Sequence, residues 1–247
     1  MQSQIIDELE KQFKEADATD SFSALLSFGK CLTASDEPEI IEYHFNLFQR
    51  AKNKKKLHSF LVTFFERRRD LGRDYLLRRI STEQDPFLIA TSLQILGHMR
   101  CPEVLALARG FITDQEALVR EWACIVLGWV GAAQEIELLG KVQINETDCN
   151  TRKWAATQQM HIWLRFPDVK DAVVANLRVA LEQEAEPEVL EMILYTAEQV
   201  LKRRFGLKRD PESPYGRMLG DLQEAKRRAA IALKNSVQRA PKLTKKK

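Results

Sequence analysis

The chain has 247 residues, of which 45% are hydrophobic and 30% charged, with a formal net charge of +3. This is the balance of an ordinary folded protein long enough to bury a sizeable core. Only 10 Gly and 8 Pro punctuate it, which favours long helices with short connections over a strand-rich fold.

The first apolar stripe is Ile5, Ile6, Leu9 and Phe13, one face of an acidic amphipathic helix without the pattern of a signal peptide. Phe22, Leu25, Leu26 and Gly29 mark a second helix, with Asp20 or Ser21 as its N-cap. Pro38, after Asp36, suits the first turn of a third, which carries Ile40, Ile41, His44, Phe45 and Phe48. A polar connection follows. Leu57, Phe60, Leu61, Phe64 and Phe65 then form another stripe, which ends in the run 66–69.

From Asp85 the chain becomes repetitive. Gly97 and Gly128 are 31 residues apart, and Arg120/Arg152 and Trp122/Trp154 are 32 apart. Periods of this size indicate stacked helical pairs, each covering its neighbour's apolar face. A further unit starts near Glu186. Residues 208–216 are a turn-rich break, and a last helix is expected from about Tyr215 to Val237. The expected organisation is a single solenoid over 1–207, clearest over 85–200, then a break and capping helix over 208–238. A basic, frayed tail would occupy 239–247.

Charge is distributed in blocks. The net is −7 over 1–48, +8 over 49–79, −9 over 80–200 and +11 over 201–247. Such blocks either steer a charged partner or lie as neighbouring faces that satisfy each other. Cys31, Cys101, Cys124 and Cys149 form no C-x-x-C pair and complete no zinc pattern. Cys124, inside an apolar helix, fits a reduced thiol and hence a reducing compartment. The uncharged run 122–134 is 13 residues, too short to span a bilayer. A cytoplasmic protein without membrane contact, metal or cofactor is expected.

The residues Asp114, Val119, Arg120, Ala123, Leu127, Gly128 and Gly131, followed by Ile136, Leu138 and Leu139, carry a family pattern. They resemble a HEAT repeat of the short type shared with phycobilin-lyase-like proteins. Asp148, Arg152, Ala155 and Ala156 resemble the next repeat. Asp85, Pro86, Leu96 and Gly97 resemble the previous one, with Ile89 where the family places Arg. The resemblance implies an all-α, right-handed α-solenoid of stacked helical hairpins. It also implies a ladder in which Asp114 meets Arg120 and Asp148 meets Arg152.

The resemblance implies that the second helix of each pair lines a concave face. Register then assigns Val119, Ala123, Val126, Leu127 and Val130 to the core. Glu121, Trp122, Ile125 and Trp129 fall on the opposite side. The equivalent positions are Lys153, Trp154, Thr157 and His161 one repeat later, and Gln94 and His98 one repeat earlier. Glu191, Met192, Tyr195 and Gln199 follow in the next unit. Trp122 and Trp154 either pack between repeats or stand as aromatic hot spots of a binding groove. A basic cluster at Arg67, Arg68, Arg69 and Arg73 either contacts phosphates or is a solvated face interrupted by Asp70 and Asp74.

No nucleophile elbow, phosphate loop, dinucleotide fingerprint or H-E-x-x-H is present. A non-enzymatic protein-binding module is therefore the leading expectation, an immunity protein that wraps a cognate toxin or an adaptor. A nucleic-acid binder or HEAT-like DNA glycosylase is the second. A tetrapyrrole lyase or chaperone, from the repeat type, is the third.

Overall fold

The computed structural model describes residues 2–19, 21–212 and 218–237. They hold thirteen α-helices, a 3-10 turn at Pro167–Val169 and one two-residue ribbon. The fold class is the all-α helical-repeat solenoid expected from the sequence. The chain forms two compact units, Met1–Phe111 and Ile112–Lys247.

The first unit contains α1 (Gln2–Thr19), α2 (Phe22–Leu32), α3 (Pro38–Arg50), α4 (Lys55–Glu66), α5 (Arg69–Arg79), α6 (Pro86–His98) and α7 (Val104–Phe111). Pro38 opens α3, where its missing N–H costs nothing. The N-cap there is Glu37, without a side-chain cap bond. Ser21 occupies the N-cap of α2 without a side-chain cap bond, and Asp20 lies outside the described residues. Asp85 caps α6 by accepting from the N–H groups of Phe87 (2.8 Å) and Leu88 (3.3 Å). Helix α4 packs on α2, α3, α5 and α6, and its apolar stripe supplies the buried Phe64 and Phe65. Phe13 and Phe28 meet edge to face at 5.7 Å between α1 and α2.

The second unit contains α8 (Ala117–Val130), α9 (Glu135–Asn145), α10 (Cys149–Arg165), α11 (Lys170–Gln183), α12 (Pro187–Leu201) and α13 (Leu222–Val237). Helices α8, α10 and α12 are neighbours in one row, and α9, α11 and α13 in the other. The last helix starts at Leu222, later than the sequence predicts. Lys208–Arg209 and Met218–Leu219 pair as an antiparallel ribbon instead, and Asp221 accepts from the Glu224 N–H at 2.9 Å to begin the helix. The expected tail, 239–247, lies outside the described residues.

Close approach of neighbouring helices within each row depends on one glycine per row. A Cβ at Gly128 in α8 would run into the side chain of Gln158 in α10, and one at Gly140 in α9 would run into Asn176 in α11. Asn176 spans both rows. Its Nδ2 donates to the Ile136 carbonyl (3.1 Å) and to Gln159 Oε1 (2.8 Å), while Gln159 Nε2 donates to Gln143 Oε1 (2.6 Å). Gln143 and Gln159 are buried; the chain of amides pairs most of their polar atoms inside the stack and leaves Gln143 Nε2 without a partner.

The expected ladder exists with different partners. Arg120 donates Nε and Nη2 to the Glu146 carboxylate, and its Nη1 to the carbonyls of Asp114 and Gln115. Arg152 repeats the arrangement with Glu184 and with the carbonyls of Glu146 and Thr147. Lys226 of α13 ends the series by donating to the Glu184 carbonyl at 2.8 Å. The aspartates serve their own turns. Asp148 caps α10 through the Thr151 N–H, and Asp114 accepts from the Glu116 N–H. Arg reaches the carboxylate one loop further on because its own loop already presents two carbonyls to Nη1.

Candidate protein-binding face

Helices α8, α10 and α12 run in the same direction, and equivalent ends meet. Glu121 bonds Trp154 near the N-terminal ends of α8 and α10, and Gly128 lies against Gln158 further along. The outer side of this row is the face that register predicts for partner contact. It differs from the prediction at two positions. Ile125 is 3% exposed and Thr157 6%. The tight α8–α10 contact through Gly128 turns both toward the neighbouring helix. Thr157 also spends its hydroxyl on the Trp154 carbonyl at 3.0 Å.

Among the remaining positions of the second unit, two pairs are in contact. Trp122 and Trp129, one turn pair apart on α8, meet edge to face at 6.0 Å, and both are half-buried. Trp154 is 37% exposed and donates Nε1–H to Glu121 Oε1 at 3.0 Å. Trp154 is thus neither wholly packed between repeats nor free; its polar edge is fixed and its face is open. Burial pushes the Glu121 carboxyl above the usual range, and the Trp154 hydrogen bond only partly opposes this. Lys153 pairs with Glu188 of α12 at 2.9 Å.

His161 is half-buried, and its Nδ1 lies 2.8 Å from Gln158 Oε1. Burial lowers its pKa, and Arg165 adds to the effect, which keeps the ring neutral at pH 7. Gln94 and His98 belong to the first unit. His98 Nδ1 meets Glu66 Oε1 at 2.6 Å, and Gln94 is half-buried on α6.

The basic cluster does not form one surface. Arg68 is 5% exposed. It donates to the carbonyls of Leu32 (2.6 Å) and Ser35 (2.8 Å) and to His44 Nδ1 (3.3 Å). Its role is to hold the α2–α3 connection against α4 and α5. Burial, reinforced by the Arg68 charge, holds His44 well below its ordinary pKa, so the ring is neutral and its Nε2–H donates to the Leu61 carbonyl. Arg67 lies 4.1 Å over the Phe64 ring, and Arg73 is matched by Asp70 and Asp74. Arg69 is exposed.

At the C-terminal ends of α10 and α12 lies an open cleft of about 470 Å³, of whose lining register singles out Tyr195 and Gln199 alone. Its walls include Trp163 and Leu164 on α10 and Tyr195 on α12, and its rim carries Lys202 and Arg203. The residues that tie the hairpins, Glu146 and Glu184, also escaped the repeat alignment. Their signal was present as a carboxylate two residues ahead of each N-cap, at Glu83, Asp114, Glu146 and Glu184.

Among the described residues no three His, Cys, Asp or Glu side chains are grouped to hold a metal ion, and no helix is long and apolar enough to cross a membrane. The four cysteines are free thiols. Residues 74–161 match the family model for HEAT repeats. No curated protein matches the chain. The match covers α6 to most of α10 and coincides with the units whose Gly and Arg spacing sets the period; this stretch of the chain is built of HEAT repeats.

Proposed function

We propose that this is a non-enzymatic protein-binding module and that its partner lies on the outer side of the α8–α10–α12 row. HEAT repeats are in general protein-interaction modules. The observation that carries the reading is the set of Trp122, Trp129 and Trp154, three indoles that keep open surface on one face, with Trp154 anchored by Glu121. Indoles held at a fixed angle bury large area at little entropic cost, which is the property of interface hot spots. Glu121 adds acid beside Trp154, which suits a partner with a basic rim. A toxin domain neutralised by this chain, or a client of an adaptor, would both use such a face.

A nucleic-acid reading draws less support. Arg68 is spent inside the fold and Arg73 is neutralised, so the cluster offers few phosphate contacts. Affinity capture from the source cells, with wild type beside Trp122→Ala combined with Trp129→Ala, tests the proposal. A specific protein retained by wild type and lost from the variant is expected. Recovery of nucleic acid alone, unaffected by the substitutions, overturns it.

A further inference from the structure

We propose that the cleft between the C-terminal ends of α10 and α12 takes an acidic peptide segment of the partner protein, with one large apolar side chain seated between Trp163 and Tyr195. This rests on the protein-binding reading above and names the chemistry at one end of the same helix row. Three features support it.

The cleft has an apolar side, Met160, Trp163, Leu164 and Tyr195, that the fold leaves open. Leu164 is 62% exposed, and Trp163 and Tyr195 are half-buried. A volume of about 470 Å³ exceeds any single side chain and accommodates an anchor with its flanking backbone.

The charge at the rim is unspent. Glu198 is 3% exposed and is satisfied by the Phe205 N–H (2.6 Å) and Arg204 Nη1 (2.9 Å). Arg204 therefore cancels the buried acid. The last carbonyls of α12 accept from the Lys202 and Arg203 N–H groups. Lys202 and Arg203 themselves make no side-chain hydrogen bond or ion pair among the described residues, and both are exposed. Two cations beside an apolar opening select an anionic segment and reject a basic one.

Lys202 is held in the left-handed region, at φ 49. The α12 C-terminus thus ends in a sharp turn rather than a frayed coil, which fixes the backbone from which the two cations project, one turn after Gln199 and two after Tyr195. A preorganised rim loses less entropy on binding.

The test uses the full chain and a fluorescein-labelled peptide that carries glutamates on both sides of one phenylalanine. Fluorescence anisotropy should show saturable binding. It should weaken about tenfold with Lys202→Gln plus Arg203→Gln and by a similar factor with Trp163→Leu. Trp129→Ala, on α8, should leave it unchanged. Absence of saturation up to about 1 mM peptide overturns the inference, as does binding indifferent to both cleft variants. Tighter binding of a single-stranded oligonucleotide of equal charge, lost in the same variants, overturns it too and assigns the cleft to nucleic acid. Circular dichroism of each variant, matched to wild type, separates lost binding from lost fold, and Tyr195→Leu gives a second apolar readout if Trp163→Leu unfolds. If the protein captured through Trp122 and Trp129 stays bound to Lys202→Gln plus Arg203→Gln, and the peptide fails, the cleft assignment falls while the proposed function stands.

Discussion

Glu146 receives two parallel hydrogen bonds from Arg120, Nε at 2.7 Å and Nη2 at 2.8 Å, although 26 residues separate them. Both side chains are largely covered, at 14% and 8% exposure. A forked pair in this setting is worth more than a surface ion pair, and losing one partner strands the other. Arg120→Ala should therefore destabilise the second unit by about 2–3 kcal/mol, read as a lowered urea midpoint. Arg120→Lys should recover only part, since an ammonium cannot serve the carboxylate fork and the Asp114 and Gln115 carbonyls together.

The same pair gives a pH signature. The Arg120 hydrogen bonds hold the Glu146 carboxyl down at about 2. At Glu184 burial acts upward, but Arg152 and the backbone donors outweigh it, and the pKa is lowered. A carboxylate lowered in the fold contributes stability above its unfolded value of 4.5 and loses it as pH falls from there toward 2. Melting temperature measured from pH 7 to acid should fall through that window in wild type. It should fall less steeply in Arg120→Ala, so the two curves converge at low pH. Parallel curves would show that Arg120 is not what lowers Glu146.

Gly128→Ala separates helix propensity from packing. In an open helix, alanine in place of glycine adds up to about 1 kcal/mol. At Gly128 the new Cβ would collide with Gln158, which is fully buried and tied to His161. Overpacking of this kind costs about 1–3 kcal/mol, so the net sign should be destabilising. Gly110, where a Cβ meets nothing, is the control and should gain stability. A shift of the same sign at both sites in chemical denaturation would remove the packing explanation.

The fold was legible in the sequence because the stacking depends on small residues at fixed spacing. Gly97, Gly128, Ala123 and Ala155 recur with a period that no other architecture of this composition explains. Register by residue type assigns the ladder the wrong partners. Asp114 and Arg120 are six residues apart, whereas Asp148 and Arg152 are four apart; it is Glu146 that stands six before Arg152. Matching Asp with Asp followed residue type, while the backbone matches position. Arg68 was misplaced because a run of three arginines reads as surface. Only the folded α2–α3 connection, with its carbonyls at Leu32 and Ser35 turned inward, shows that one of them is enclosed. Ile125 and Thr157 were placed outward by helical spacing alone, which takes no account of how far Gly128 lets α10 approach.

Arg68 offers the sharpest contrast with its neighbours. Arg68→Ala leaves two inward carbonyls unmet and should cost about 3–5 kcal/mol in the first unit, whereas Arg67→Ala and Arg69→Ala should each stay within about 1 kcal/mol. The neutral His44 beneath it adds a pH term of opposite origin to that of Glu146. Its pKa is lowered in the fold, so below about 6.5 the unfolded chain takes up a proton that the folded one refuses. Stability of the first unit should begin to decline as pH drops below that value, and His44→Gln should abolish this part of the decline. Urea titrations at pH 7.5 and 5.5 on both variants check it.

Glu121 is the point where the proposed binding face and stability oppose each other. Its carboxyl is raised chiefly by burial, despite the Trp154 hydrogen bond. A carboxyl raised in the fold costs stability above its folded pKa, and the cost disappears as pH falls below the unfolded value of 4.5. Glu121→Gln removes the charge and keeps an oxygen to accept the Trp154 Nε1–H. It should raise the melting temperature at pH 7 by about 2 °C and make no difference near pH 4. If the face meets a basic partner, the same substitution should weaken partner capture while it stabilises the free chain, because the carboxylate trades solvation for contact only in the complex. Thermal melts at the two pH values, alongside retention of the protein captured by wild type, distinguish the cases. A variant that is less stable at pH 7 would show that the Trp154 bond to a charged Glu121 outweighs the burial of its charge.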